Sequence, residues 1–356
     1  MVTLTGIKQL MNRGFHVELL CTTESRLHIE ASNIGIIIHP VKAGSYFHPL
    51  SSLRLAFIIK KIDYDIIHTH SSKDLWVIVP AIKLLKKKIP LVLTKHIGSF
   101  IVKKDFLHKF LYRYVTRAVA ISSVINKNLI DTTPLKEDRI VLIPNGVDTD
   151  KFNPEKVKGD KVRNEFNIQK DKILIGMMAR FSRGKGHEEF IKAAAGLNQE
   201  YNKLHFMIIG EASRGESLYE EEIKSLAEIM KLDNLVFTGY RSDIPELLAA
   251  LDIFVFPSHA EAFGIALVEA MAMEKPTVCS ASDGIFDIAV DNKTSYLFEK
   301  ENASELQEKL KLLIDNPAIR SAFAKASRER VLENFNINIV TDRICNLYSD
   351  LVLLTK

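Results

Sequence analysis

Short apolar runs alternate with longer amphipathic ones along the chain, and this rhythm limits the fold more than any other feature. Residues 15–21, 34–39, 65–69, 90–95 and 118–121 read as strands, and residues 50–62, 73–86, 105–116 and 123–131 as the helices between them. Strand–helix alternation joins strands by crossovers, which gives a parallel sheet with helices on both faces. Pro144-Asn145-Gly146-Val147-Asp148 interrupts the rhythm, and a polar stretch follows from 153 to 172. It then restarts, with strands at 173–179, 204–210, 235–239, 253–257, 277–280 and 295–298. Helices lie between them at 188–200, 216–230, 244–250 and 265–273, and helical patterns at 303–313, 317–333 and 337–354 end the chain. The expected class is α/β with two Rossmann-like parallel-sheet domains. A chain of 356 residues is long for one core and comfortable for two.

No stretch approaches the length of an apolar transmembrane helix, and the start, Met1 to Thr5, has no basic region before an apolar one. Cys21, Cys279 and Cys345 stand far apart, in no metal-ligand spacing. Each reads as a small buried hydrophobe in a reducing compartment, which points to the cytoplasm. Charge is uneven. Residues 1–144 hold 21 Lys and Arg against 10 Asp and Glu, whereas the remainder holds 27 against 34. A basic half suits an anionic partner (nucleic acid, anionic lipid or a phosphorylated acceptor), or it is a solvated lysine-rich face.

Ligands of open α/β sheets bind beyond the carboxyl ends of the strands, so the loops after strands are where chemistry is expected. One such loop reads P-S-H-A-E-A-F-G-I-A-L-V-E-A-M-A from Pro257 to Ala272. Glu261 falls in the loop and Glu269 about one turn into the following helix. The N–H groups at Phe263 and Gly264 open that helix and offer an anion site. Glu269 sits among apolar neighbours, where a carboxylate needs a partner, either a ligand or a buried arginine. A second loop, A-R-F-S-R-G-K-G-H from Ala179 to His187, carries Arg180 and Lys185 beside two glycines. Two fixed cations at a helix N-terminus suit a diphosphate; the alternative is a basic surface loop. Thr94-Lys95-His96-Ile97-Gly98 places His96 at a strand's carboxyl end. Pro144 to Asp148 is either part of a site or a plain hinge.

The two-glutamate spacing within P-S-x-x-E-x-F-G-x-x-x-x-E-A-M-A resembles glycosyltransferase family 4, the retaining sugar-nucleotide transferases of glycosyltransferase-B fold. A-R-F-S-R-G-K-G is similar to that family's G-R-x-x-x-x-K-G, and T-K-H-I-G to its T-x-H-G. D-I-I-H-T-H at 65–70, P-N-G-V-D at 144–148 and, imperfectly, 280–287 follow in the same order.

The resemblance implies two domains facing a cleft. Residues 1–147 form an acceptor-side domain, 148–333 the nucleotide-sugar domain, and 334–356 a last helix returning to the first domain. It also implies roles. Arg180 and Lys185 hold the donor diphosphate; Glu269 binds the ribose hydroxyls. Glu261, with the N–H groups of Phe263 and Gly264, contacts the transferred sugar, and His96 reaches the sugar and acceptor. Glycosyl transfer develops oxocarbenium character while a diphosphate departs, and preset cations act where that charge develops. No cofactor or metal is expected, for the chain carries no metal-ligand cluster.

The implied function is transfer of a hexosyl unit from a UDP- or GDP-sugar to an envelope, polysaccharide or lipid-linked acceptor, with no nucleic-acid partner. A sugar-nucleotide epimerase or a nucleotide-sugar-binding subunit of low activity would share these motifs. Three positions depart from the family pattern: Asp283-Gly284 replaces Gly-Gly, Asp287 a Glu, and Ser295 a Gly. In the family a first strand and a G-G-x-E turn precede the first helix. Aligned through Asn12-Arg13-Gly14-Phe15-His16-Val17, that turn would fall before Met1, so the chain is expected to begin inside the first helix and to lack one central strand. Within 103–117, Phe106, Leu107, Phe110, Leu111, Tyr114 and Val115 fall on one helical face with basic flanks. This is the pattern of a helix lying on anionic lipid at the inner face of the cell membrane, or of an ordinary domain helix.

Overall fold

The structure, a computed structural model, describes residues 2–41, 48–85, 88–213 and 215–354. It divides into two compact units, Met1–Gly146 with Ile337–Lys356, and Val147–Asn336. The α/β class with parallel sheets is as expected.

The first unit runs α1 (Val2–Asn12), β1 (Glu18–Cys21), α2 (Arg26–Ser32), β2 (Ile37–Pro40), α3 (Pro49–Ile62) and β3 (Ile67–Thr69). It continues through α4 (Leu75–Leu85), β4 (Leu91–Lys95), α5 (Phe106–Tyr112), β5 (Val115–Ala120), α6 (Ser123–Thr132) and β6 (Ile140–Leu142). The expected helix at 73–86 opens with a 3-10 turn at Ser72–Asp74, and its last residue, Lys86, lies outside the described residues. Two short elements of this unit escaped the periodicity. α2 spans seven residues and β6 three, each too short for a clear period. All strand pairing is parallel, but the strands form two sheets, β1-β2 and β3-β4-β5-β6. Among the described residues, β1 and β3 each have one edge without a strand partner. The Glu18 carboxylate links these parts: it accepts hydrogen bonds from Tyr64, which leads into β3, and pairs with His39 (2.5 Å) and His16 (2.8 Å). Burial works against its charge, yet these hydrogen bonds outweigh burial and bring its pKa down to about 2.

The second unit runs α7 (Asp160–Glu165), β7 (Ile173–Met178), α8 (His187–Asn198), β8 (Leu204–Ile209), α9 (Ser217–Ile229), β9 (Leu235–Phe237) and α10 (Ile244–Ala250). It continues through β10 (Ile253–Phe256), α11 (Ile265–Ala272), β11 (Thr277–Ser280), α12 (Ile285–Ile288), β12 (Ser295–Phe298), α13 (Ala303–Asp315) and α14 (Pro317–Asn334). Its sheet has the order β12-β11-β10-β7-β8-β9, all parallel. Strands buried on both faces read as near-continuous apolar runs, as Phe206, Ile208, Ile253 and Val255 do here. The strand order reverses between β7 and β10, so their carboxyl ends form the crevice of a doubly wound sheet.

The last helix, α15 (Ile337–Leu353), belongs to the first unit. Its Val340, Tyr348 and Leu351 join Val92, Val119 and Ile143 in one apolar cluster, and Asp342 pairs with Arg13 at 2.8 Å. Of the three cysteines, Cys279 is buried, while Cys21 and Cys345 are half-buried; all are free thiols.

The helix expected over 105–116 is shorter than its apolar pattern suggested. Asp105 caps α5 by accepting from Leu107 N and His108 N, and the chain is already extended from Val115. Leu111, Tyr112 and Val115 face the core, so the single lipid-facing stripe does not exist. Phe106 and Leu107 remain exposed and join Phe100, Ile101 and Val102, which precede the helix and are exposed as well.

Where the chain passes between units, its two segments pair. Val147 N donates to Phe335 O at 2.8 Å, Val147 bridges Asn336 in parallel, and Asn336 donates to Thr149 Oγ1 at 2.9 Å. At Gly146 a Cβ would stand 2.8 Å from Ile337 Cα, which explains the glycine in the P-N-G-V-D turn. Gly146→Ala is therefore expected to destabilise the protein by about 1–3 kcal/mol. Urea unfolding would read this as a lower midpoint with an unchanged slope.

Candidate active site

Six of the seven residues singled out in the sequence lie in the second unit, in or beside the loops that follow β7 and β10. These strands are neighbours, with Ile253 opposite Ile175 and Val255 opposite Met177, so their loops leave the sheet side by side.

The loop after β7 is a tight turn. Lys185 N donates to Ser182 O, and Gly184 and Gly186 both adopt left-handed φ, +80° and +79°. Phe181 and His187 stack with ring centroids 4.6 Å apart, closing the loop at its base. Burial lowers the pKa of His187 to about 4, so the ring packs as a neutral group. The loop after β10 lies directly on this turn. His259 N donates to Gly184 O at 2.9 Å, and a Cβ on Gly186 would overlap the Pro257 carbonyl. Glycine at 186 is thus required twice, by its φ and by the approach of the second loop.

That approach places Lys185 Nζ against the Glu261 carboxylate, an ion pair with both side chains largely buried. Arg180, at the carboxyl end of β7, is exposed and makes no side-chain hydrogen bond to a described residue. Arg183 points elsewhere: it pairs with Glu222 at 2.6 Å and lies over the Tyr219 ring. Gly264 takes φ +101° and serves as N-cap of α11, and Phe263 is buried against Phe335. The first-turn N–H groups of α11 therefore leave a rigid base beside Glu261.

Glu269, the fifth residue of α11, has Leu267, Val268, Ala270 and Met271 buried around it. No described residue donates a hydrogen bond to its carboxylate, and burial raises its pKa to about 7. Lys151 opposes the rise from a distance, brought there by the turn in which Asp148 Oδ1 accepts from Asp150 N and Lys151 N. The buried-arginine partner that the sequence left open is not present among the described residues.

Sequence reasoning assigned no role to the loop after β11, yet it supports the others. The hydroxyls of Ser280 and Ser282 both donate to Ser258 O, and Gly284 N donates to Glu261 O at 3.0 Å. A Cβ on Gly284 would stand 2.7 Å from Ala262 O, so the second glycine of the family's pair is the one this packing requires. Ser280 and Gly284, in S-x-x-x-G spacing, were the available signal. The site's electrostatics are two cations and a helix N-terminus beside two carboxylates, one ion-paired and one not; this can receive a diphosphate and hydroxyl-bearing groups.

His96 lies in the first unit, just past β4. Its Nε2 is 3.0 Å from His70 Nδ1, which stands just past the neighbouring β3. Burial lowers the pKa of both rings, that of His70 to about 3.

Glu269 gives a test of this geometry. A carboxyl whose pKa rises from 4.5 to about 7 on folding makes the native state relatively most stable below pH 4.5. The contribution is lost as pH rises through about 7. Glu269→Gln should remove that decline and stabilise the protein at pH 8 by about 3 kcal/mol, with little change at pH 4. Urea unfolding at the two pH values measures it; equal effects at both would contradict a half-buried, unpaired carboxylate.

Among known proteins, a family described as "Glycosyl transferases group 1" matches residues 159–330, and one described as "Glycosyltransferase Family 4" matches residues 2–151. The N,N'-diacetylbacillosaminyl-diphospho-undecaprenol alpha-1,3-N-acetylgalactosaminyltransferase of Campylobacter jejuni is 28% identical over 314 residues, which is 84% of this chain and 80% of that one. The UDP-Gal:alpha-D-GlcNAc-diphosphoundecaprenol alpha-1,3-galactosyltransferase of Escherichia coli is 26% identical over 367 residues, 99% of this chain and 93% of that one. A crystal structure of a glycosyltransferase from Rickettsia africae ESF-5 shares the fold with a TM-score of 0.90 at 24% identity, covering 99% of this chain and 94% of its own. Anabaena HepE, solved with UDP and glucose, has a TM-score of 0.79 at 21% identity over 97% and 94% of the two chains. The two matched families account between them for nearly the whole chain, and with the doubly wound second unit and its Lys185–Glu261 and Glu269 loops they identify it as a glycosyltransferase of family 4 with the glycosyltransferase-B fold.

Proposed function

We propose that this enzyme transfers a hexosyl unit from a UDP-sugar, with retention, to a lipid-linked or glycan acceptor at the inner face of the cell membrane. The observation that carries the donor half is Glu269, a half-buried carboxylate with no partner among the described residues, one turn into a helix whose N-terminus adjoins Lys185 and Glu261. A pair of ribose hydroxyls supplies the donors that this carboxylate lacks. Arg180 and Lys185 take the diphosphate, Glu261 with the N–H groups of Phe263 and Gly264 takes the hydroxyls of the transferred sugar, and His96 contacts that sugar.

Lys185 and Glu261 neutralise one another in the structure, so donor binding exchanges this pair for phosphate oxygens and sugar hydroxyls. The bond from the anomeric carbon to the phosphate oxygen breaks with its electrons passing to that oxygen. The acceptor hydroxyl adds to the same face and gives its proton to the departing phosphate. Arg180 and Lys185 stabilise the charge on the leaving oxygens, so the step calls on no metal. Uridine is favoured over guanosine by two names: the E. coli relative is a UDP-Gal transferase, and the Anabaena protein was solved with UDP. The C. jejuni and E. coli relatives both carry diphospho-undecaprenol in their names, which supports a lipid-linked acceptor.

The first unit presents a surface suited to such an acceptor's membrane. Ile97, Phe100, Ile101, Val102, Phe106 and Leu107 are exposed within one short stretch, Phe100 wholly so, with Lys103, Lys104 and Lys109 among them. Apolar side chains enter the headgroup region while the lysines meet anionic lipid. No helix among the described residues is long and apolar enough to cross a membrane.

In a calorimetric and radiolabel assay across UDP-, GDP- and ADP-sugars, a UDP-sugar should bind and be transferred, with turnover unchanged by EDTA. Lys185→Ala and Glu269→Ala should each cost about 1.5–3 kcal/mol in donor affinity or transition-state stabilisation while the fold persists. Normal binding and turnover in both variants would sink the assignment, and release of an epimer without transfer would make the chain an epimerase. Sedimentation with vesicles should depend on anionic lipid and fall with salt, and Phe100→Ser with Phe106→Ser should weaken it severalfold. Equal partition onto neutral vesicles would remove the membrane surface from the proposal.

A further inference from the structure

Three histidines of the first unit form one stack that ends at His96. The sequence reading singled out His96 alone. His68 lies in β3 and His70 two residues on, so both project to the same side. Their rings stack with centroids 4.6 Å apart and planes 23° apart, and His70 stacks in turn on His96 at 5.3 Å and 19°. The far end is pinned from two directions. His68 Nδ1 is 2.5 Å from the Tyr348 hydroxyl of α15, and His68 Nε2 is 2.7 Å from Thr94 Oγ1 on β4. Tyr348 is itself buried and held edge-on by Phe15. Both nitrogens of His68 are therefore occupied, and its plane is fixed.

His70 carries that order to His96. A hydrogen bond between His70 Nδ1 and His96 Nε2 at 3.0 Å holds a single proton when both rings are neutral. Whichever nitrogen carries it, the tautomer of one ring dictates the tautomer of the other. Burial favours neutrality in all three rings. The charged side chains around them do not compete for the pair: Asp74 is taken by Thr69 Oγ1 at 2.6 Å, and Lys95 is directed to Ser72. An apolar residue at 70 would fill the same space without presenting a nitrogen to His96.

We infer that His70 is a positioning residue that sets the tautomer and ring plane of His96, with His68 and the Tyr348 hydroxyl of α15 as its anchor. The inference rests on the role given above to His96, that of contacting the transferred sugar. A ring that must present one defined nitrogen to a hydroxyl gains from having its other nitrogen committed.

Nitrogen-15 NMR of the histidine-labelled full chain tests it without any turnover. In the wild type at neutral pH, His96 should show one neutral tautomer, with one ring nitrogen protonated and the other not. In His70→Phe, which keeps an aromatic ring in the stack, the two nitrogens should move toward averaged shifts, while His68, still held by Tyr348 and Thr94, keeps its pattern and reports that the unit is folded. His70→Asn, which can offer an amide nitrogen near the place of Nδ1, should restore the single tautomer. Tautomer-averaged His96 in the wild type, or an unchanged His96 in His70→Phe, would overturn the inference. Should His70→Phe not fold, averaged His96 in the folded His70→Asn would overturn it as well.

In the transfer assay, His70→Phe should lower kcat by about 10- to 100-fold with little change in donor KM, and His70→Asn should recover most of it. A His70→Phe enzyme of normal kcat, beside an inactive His96→Ala, would equally overturn the positioning role. If His96→Ala is itself fully active, the role of His96 in the proposed function fails, and the NMR result alone decides what His70 does.

Discussion

The second unit's site depends on the backbone contact between the turn after β7 and the loop after β10. Gly184 and Gly186 both lie in the left-handed region, and Gly186 has no room for a Cβ beneath the Pro257 carbonyl. A hydrogen bond from His259 N to Gly184 O locks the approach. Lys185 and Glu261, 76 residues apart in the chain, meet because these two backbones meet. The sheet supplies the reason they can: β7 and β10 are neighbours at the point where strand order reverses. The loop after β11 then steadies the second loop from its other side through Ser280, Ser282 and Gly284.

Upon this frame the charges fall into two kinds. Arg163 with Asp252, and Arg241 with Glu165 and Asp243, are satisfied ion pairs whose partners are all protein. Arg180 and Glu269 have no such partners among the described residues, and Glu269 is held in surroundings that penalise its charge. A protein optimised for stability alone would not keep a carboxylate there, since a charge buried without partners costs free energy on every folding event. The pattern of satisfied charges around two unsatisfied ones separates scaffold from site more sharply than residue type does.

The first unit obeys a different logic. Its polar centre is a column of neutral aromatic nitrogens, anchored by a helix that arrives 280 residues after His68. Its exposed apolar stretch follows the same strand, β4, that carries His96 at its end. Chemistry and surface character in this unit are thus both carried beyond the carboxyl ends of parallel strands, as the topology of open sheets favours.

Local periodicity determined the α/β class, and most strand and helix positions, because strands buried on both faces and amphipathic helices leave different spacings in the sequence. β11, β12 and α10 lie where the spacing placed them. The glycines and charged residues of the two loops were legible too, since an element that needs left-handed φ or a fixed charge must encode it in residue type. Short elements such as α2 and β6 were not legible, for three to seven residues carry too little of any period. The tertiary structure alone decided that 103–117 ends its helix at Tyr112 and buries Leu111, because burial depends on what packs above a segment. It alone decided that Glu269 has no arginine beside it among the described residues, that Lys185 faces Glu261, and that His70 and Tyr348 belong with His96. Those relations join residues tens to hundreds of positions apart, and contacts of that range exist only once parallel strands have been set side by side.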